Sequence, residues 1–85
     1  MRQVVNEAVK VYFVSDPGVE IRPLYLSWNK RSYKVEQVNH AYTVPRGLGR
    51  CHIYCLIADG QYFELLLDPV TMVFILREVH DGRPD

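Results

Sequence analysis

The chain is 85 residues long, 48% apolar, with ten basic and ten acidic residues that cancel. Such a composition belongs to a globular domain and excludes both disorder and a global field toward nucleic acid or membrane, so any attraction of that kind must be local. One domain of this size buries roughly 60 to 65% of its unfolded surface, and two cysteines are too few for a secreted disulfide framework.

Apolar runs fall short of the ~20 residues a membrane helix needs, and MRQVVNEAVK lacks the layout of a signal peptide. The expectation is one soluble cytoplasmic domain with no membrane partner. Residues 4 to 14, VVNEAVKVYFV, place Val5, Val9, Val11 and Phe13 on one side of an extended segment and Lys10, Tyr12 and Val14 on the other. A helical stripe through Val5, Ala8, Val9 and Tyr12 is the competing reading. Valines lose χ1 freedom in a helix, which favours a strand. Asp16-Pro17-Gly18 breaks the chain, and IRPLYLSW follows, with Leu24, Leu26 and Trp28 alternating against Tyr25 and Ser27. Arg22-Pro23 marks its start, where proline is tolerated. Asn29-Lys30 reads as a two-residue hairpin loop, since Asn reaches the left-handed region cheaply.

A third run begins at Arg31 with Tyr33 and Val35 on one face, then slips by one residue to Val38, which predicts a bulge near Glu36-Gln37. Residues 39 to 49, NHAYTVPRGLG, hold one proline and two glycines and are expected to form a long, ligand-facing loop. Residues 50 to 79 read as three antiparallel strands. Asp59-Gly60 makes the first turn, a type I′ loop needing φ > 0 twice, and Asp68-Pro69-Val70-Thr71 makes the second. Cys51, Ile53, Cys55 and Ile57 share one face, but Tyr54, Leu56, Tyr62, Leu66, Val73 and Ile75 show that the opposite faces are apolar too. Both faces must be covered, by barrel closure or by a second subunit. The reading is an all-β domain: a bent antiparallel meander of five or six strands closing toward a small barrel. Its expected core is Trp28, Tyr33, Val35, Ile53, Cys55, Phe63, Leu65, Phe74 and Leu76, with residues 81 to 85 a frayed tail.

The chemistry-bearing residues exclude more than they assign. Cys51-His52-Ile53-Tyr54-Cys55 invites a zinc reading with His40 or His80. On a strand, however, the two sulfurs sit about 13 Å apart at ~3.3 Å per residue and His52 faces away. Buried apolar cysteines are the simpler account. No nucleophile elbow, phosphate loop, paired carboxylate or zinc-helix motif occurs, and Arg46-Gly47-Leu48-Gly49-Arg50 reads as a flexible connection. Neither catalysis nor a cofactor is expected. Charge is the asymmetric feature. Residues 22 to 50 hold Arg22, Lys30, Arg31, Lys34, Arg46 and Arg50 against Glu36, a balance of +5, whereas residues 51 to 85 carry −4, two basic residues against six acidic ones. With Tyr25, Tyr33 and Tyr42 interleaved, the basic stretch has the composition of a single-strand-binding surface. Solvated strand faces, or one half of a self-complementary contact, are the plainer interpretation.

Arg-Pro-x-x-Leu-x-Trp at 22 to 28, Arg-x-Tyr-x-Val-x-x-Val at 31 to 38, Asp-Gly-x-Tyr-Phe-Glu-Leu at 59 to 65 and Asp-Pro-x-Thr with Arg-x-Val at 68 to 79 together resemble a family of small bacterial domains of unknown function. The resemblance covers about residues 20 to 81 and departs at Asn29-Lys30, Met72 and Phe74, where that family typically has a Gly-Arg turn, a glycine and a tryptophan. The order of elements also resembles, more faintly, the C-terminal β extension of mutagenic-repair polymerase-like proteins, which implies a nucleic-acid or repair-complex context without assigning a residue. The expected function is a non-catalytic binding or adaptor module acting through a protein partner or self-association. The alternative is a small nucleic-acid-binding barrel using the six basic residues named above.

Overall fold

The computed structural model describes residues 2–18 and 21–80, and in it the chain is all β. Six strands follow in order: β1 Arg2–Val14, β2 Arg22–Trp28, β3 Arg31–Arg46, β4 Gly49–Ala58, β5 Gln61–Asp68 and β6 Val73–His80. Every neighbouring pair is antiparallel, and β1 also pairs with β6, so the ring closes. The first segment is a strand, as its valines favour, and the tail expected to fray lies outside the described residues.

Closure depends on two strands that change partner along their length. β1 pairs with β6 over Arg2 to Val9 and with β2 over Lys10 to Val14. β3 pairs with β2 over Arg31 to Lys34 and with β4 over Val35 to Arg46. A bulge sits at the β3 corner, and in β1 register shifts lie on either side of the change of partner, between Val4 and Glu7 and between Tyr12 and Phe13. An extra residue bends a strand and sharpens its twist. One register shift falls between Val4 and Glu7, where Asn6 has φ of 53°, and the shift between Val35 and Gln37 is the bulge read from the sequence. A second β3 shift, between Val38 and His40, was not anticipated.

The turns behave as their residues dictate. Asn29 and Lys30 have φ of 54° and 62°, and Asp59 and Gly60 have 50° and 74°, the positive pair of a type I′ loop. After Asp68 the chain makes a four-residue turn, in which Asp68 accepts the Val70 N–H at its carboxylate and the Met72 N–H at its carbonyl.

Two expectations fail. Residues 39–49 are not a long loop: β3 runs on to Arg46, the chain turns at Gly47 and Leu48, and β4 starts at Gly49. Gly47, with φ of 57°, supplies the left-handed position of that two-residue hairpin. Pro45 fits within the strand because prolines are tolerated on edges. The expected core residues are all buried or packed against buried ones, and what fails is their placement on one face. Tyr54, Leu56 and Ala58, not Ile53 and Cys55, face the barrel interior with Leu26, Tyr33, Phe63, Leu65, Leu67, Phe74, Leu76 and Val79. Trp28 and Val35 pack at the margin of this cluster. Ile53 and Cys55 belong to a separate cluster with Cys51 and Leu66 on the outer side of the sheet, flanked by Val44, Tyr62 and Ile75. Alternation fixed which residues share a face, but both faces of β4 are apolar, so it could not say which pointed inward.

Candidate functional site

Because β3 leaves β2 after Lys34, a seam opens between the two strands. Among the described residues, β3 has no partner on its β2 side from Val35 to Arg46. At the mouth of the seam lies a cleft of about 310 Å³ lined by Ile21, Pro23, Val38, Ala41 and Tyr54, with Arg22 at the rim. Its walls are apolar because β2 turns Pro23 inward against β1, while the bulges set Val38 and Ala41 on the inward side of β3, opposite Leu56 and Tyr54. Open strand edges are normally blunted by bulges and proline. Here the bulges near Glu36 and Asn39 and the proline at 45 bracket a short open stretch, His40 to Val44.

A second feature lies on the outer face of β1, the short β2 and the start of β3. Tyr12 stands directly opposite Tyr25, and Tyr25 opposite Lys34, so the three form one row across the strands. Tyr12 and Tyr25 are 52% and 43% exposed, far above the buried Tyr33 and Tyr54 of the interior. The next row is Lys10, Ser27 and Ser32, and Arg22 pairs with Val14 beyond the tyrosines. The Lys10 ammonium sits 5.2 Å from the centre of the Tyr12 ring. This face carries three cations and no carboxylate among the residues of those rows.

The six basic residues singled out by sequence do not form one groove. Arg22 and Lys34 belong to the tyrosine face. Lys30 and Arg31 lie at the β2–β3 turn, where Arg31 is engaged twice: its guanidinium is ion-paired with Asp59 and lies 5.1 Å from the Tyr33 ring centre. Arg46 and Arg50 flank the β3–β4 turn at the far end of a 16-residue strand. Of the three interleaved tyrosines, Tyr25 and Tyr42 are exposed, while Tyr33 is buried against Phe63, ring centres 5.0 Å apart.

The cysteines are free, buried thiols. Burial pushes the Cys55 thiol up from its ordinary value, and its Sγ lies 3.9 Å from Glu64 Oε1. Tyr62 is raised for the same first reason, burial, with the Cys55 and Glu64 charges adding to it. A thiol held neutral is a poor nucleophile. Among the described residues no three His, Cys, Asp or Glu side chains converge on a metal-sized site, and no helix is long and apolar enough to cross a membrane.

Sequence reasoning missed the cleft and the Lys10–Tyr12 half of the exposed face. The alternation of β1 did set Lys10 and Tyr12 on its polar side. What it could not supply was the β1–β2 register, because seven residues separate the two strands and only short turns fix register. Compared with family models, curated proteins and solved structures, the chain matches none.

Proposed function

We propose that this chain is a non-catalytic binding module that acts through protein–protein contact, taking an extended segment of a partner, or of a second copy, onto the open edge of β3. The observation that carries the reading is the coincidence of an unpaired strand edge with an apolar cleft beside it. Strand addition draws affinity from main-chain hydrogen bonds and specificity from pockets that seat alternate side chains. A cleft of about 310 Å³ is at the lower end of ligand-site volumes. It suits one or two apolar side chains rather than a cofactor. The buried, raised Cys55 thiol supports the non-catalytic half of the proposal.

The test uses peptides selected from a random display library on the intact protein. Ala41→Trp fills the cleft, while Ala41 itself is exposed and outside the interior cluster. Selected peptides should bind the parent, lose at least tenfold on Ala41→Trp, and slow the exchange of β3 amides between 40 and 44. Equal binding to both proteins would refute the reading. Light scattering that gives twice 9.9 kDa at tens of micromolar, and 9.9 kDa once a selected peptide is added, would identify a second copy as the natural occupant.

A further inference from the structure

We propose that the outer face of β1, β2 and the start of β3 is a single-stranded nucleic-acid platform, with Tyr12 and Tyr25 as stacking rings and Lys10, Arg22 and Lys34 as phosphate contacts. This goes beyond the peptide-binding reading and rests mainly on a different surface: neither tyrosine lines the cleft at the seam, and Arg22 is the one residue that the two share.

Tyr12 and Tyr25 stand at directly opposed positions on a solvated sheet face, close enough to form one aromatic surface. Here one ring has a lysine ammonium over it and the other continues into a lysine. Two serine hydroxyls lie in the adjoining row. Every base has a π-face, so such rings accept bases with little regard to sequence, and flanking cations track the backbone. Charge selects the ligand class. The Lys10, Arg22 and Lys34 side chains are exposed and stand in rows without a carboxylate, in a molecule whose net charge is zero. The arrangement is therefore a local concentration of positive charge. Shape narrows the class further. Exposed rings on a strand face match splayed single-stranded bases, whereas the stacked bases of a duplex present only their edges.

The experiment is fluorescence anisotropy of the full chain with labelled oligo-dT and oligo-U of about 12 nucleotides at 50 mM salt. Binding should weaken with a log-log salt slope of about −2, three cations at about −0.7 each, and Lys34→Gln should reduce that slope by about 0.7. Tyr12→Ala with Tyr25→Ala should weaken binding about thirtyfold or more, since each stacked base contributes about a factor of five or more. Tyr12→Phe with Tyr25→Phe keeps the rings and should retain affinity. All three positions are exposed, and unchanged melting of each variant by circular dichroism verifies that the fold is intact. The proposal is overturned if neither oligonucleotide binds at high micromolar protein, if the double alanine variant binds as the parent does, or if duplex of equal length binds as tightly. It is also overturned if an oligoglutamate of equal charge competes equally, which would make the face a site for acidic peptide. Loss of oligonucleotide binding on Ala41→Trp would transfer the site to the cleft and overturn it likewise.

Discussion

Replacing Gly60 with valine isolates the backbone strain that the central hairpin requires. Gly60 has φ of 74° and follows Asp59 at 50°, so both central turn residues are left-handed. A Cβ built at Gly60 meets nothing within 4 Å. The penalty is thus conformational rather than steric crowding by neighbours. Holding a β-branched residue at positive φ costs about 1 to 3 kcal/mol. The Gly60 N–H also donates to Glu36 Oε2 at 2.9 Å, which ties the turn to the β3 bulge. Twisting the turn away to relieve strain would weaken that bond as well. Total stability for a domain of this length is about 4 to 13 kcal/mol at ~0.05 to 0.15 per residue, so the loss is a large share. Each kcal/mol moves the midpoint of a small domain by roughly 4 to 8 °C, which with a strain of about 1 to 3 kcal/mol gives an expected drop of about 4 to 24 °C in a circular-dichroism melt. Gly49→Val is the matched control, because Gly49 lies in β4 without positive φ and its Cβ would meet only the Arg46 carbonyl oxygen at 4.0 Å. Its melting point should stay within a few degrees of the parent's. A Gly60→Val protein melting within a degree or two of the parent would refute the turn assignment.

Ile53→Ala should cost about 2 to 5 kcal/mol in urea unfolding, comparable with core truncations, because Ile53 is fully buried in the outer cluster. A loss under 1 kcal/mol would mean that this cluster is not packed. Arg31→Gln should cost less than about 1 kcal/mol, since the Arg31–Asp59 pair is largely exposed. Both Cys55 and Tyr62 are raised in the fold, by burial first, so the folded state holds protons that the unfolded state releases. Stability is then fully present below the ordinary thiol value of 9.0 and falls as pH rises above it. Tyr62→Phe should flatten that alkaline decline, and melts that are level between pH 9 and 11 would contradict the shifts.

Much of the fold was legible because turns and β-branched runs are local signals. Asn29-Lys30, Asp59-Gly60 and the Glu36 bulge could be placed from a few residues each. The misreading of 39–49 came from giving proline and glycine one meaning. Pro45 signifies an edge strand, and Gly47 a two-residue turn, as readily as a loop. The inward face of β4 was not legible, since Ile53 and Leu56 are equally apolar and only closure of the ring decides between them. The cleft and the tyrosine row both depend on long-range register. Lys34 and Tyr25 face each other across the Asn29-Lys30 hairpin, but Tyr12 joins them only through a pairing that no short turn specifies.

Amide hydrogen exchange along β3, followed by NMR, tests the open seam most directly. Residues 40 to 46 pair with β4 alone among the described residues, so their amides should alternate between slow and fast exchange, Pro45 having none. Those of β5 from Tyr62 to Leu67 are flanked on both sides by β4 and β6 and should be slow throughout. That contrast is the predicted result. Uniformly slow exchange across residues 40 to 46 would mean that the edge is already occupied, and would contradict the account.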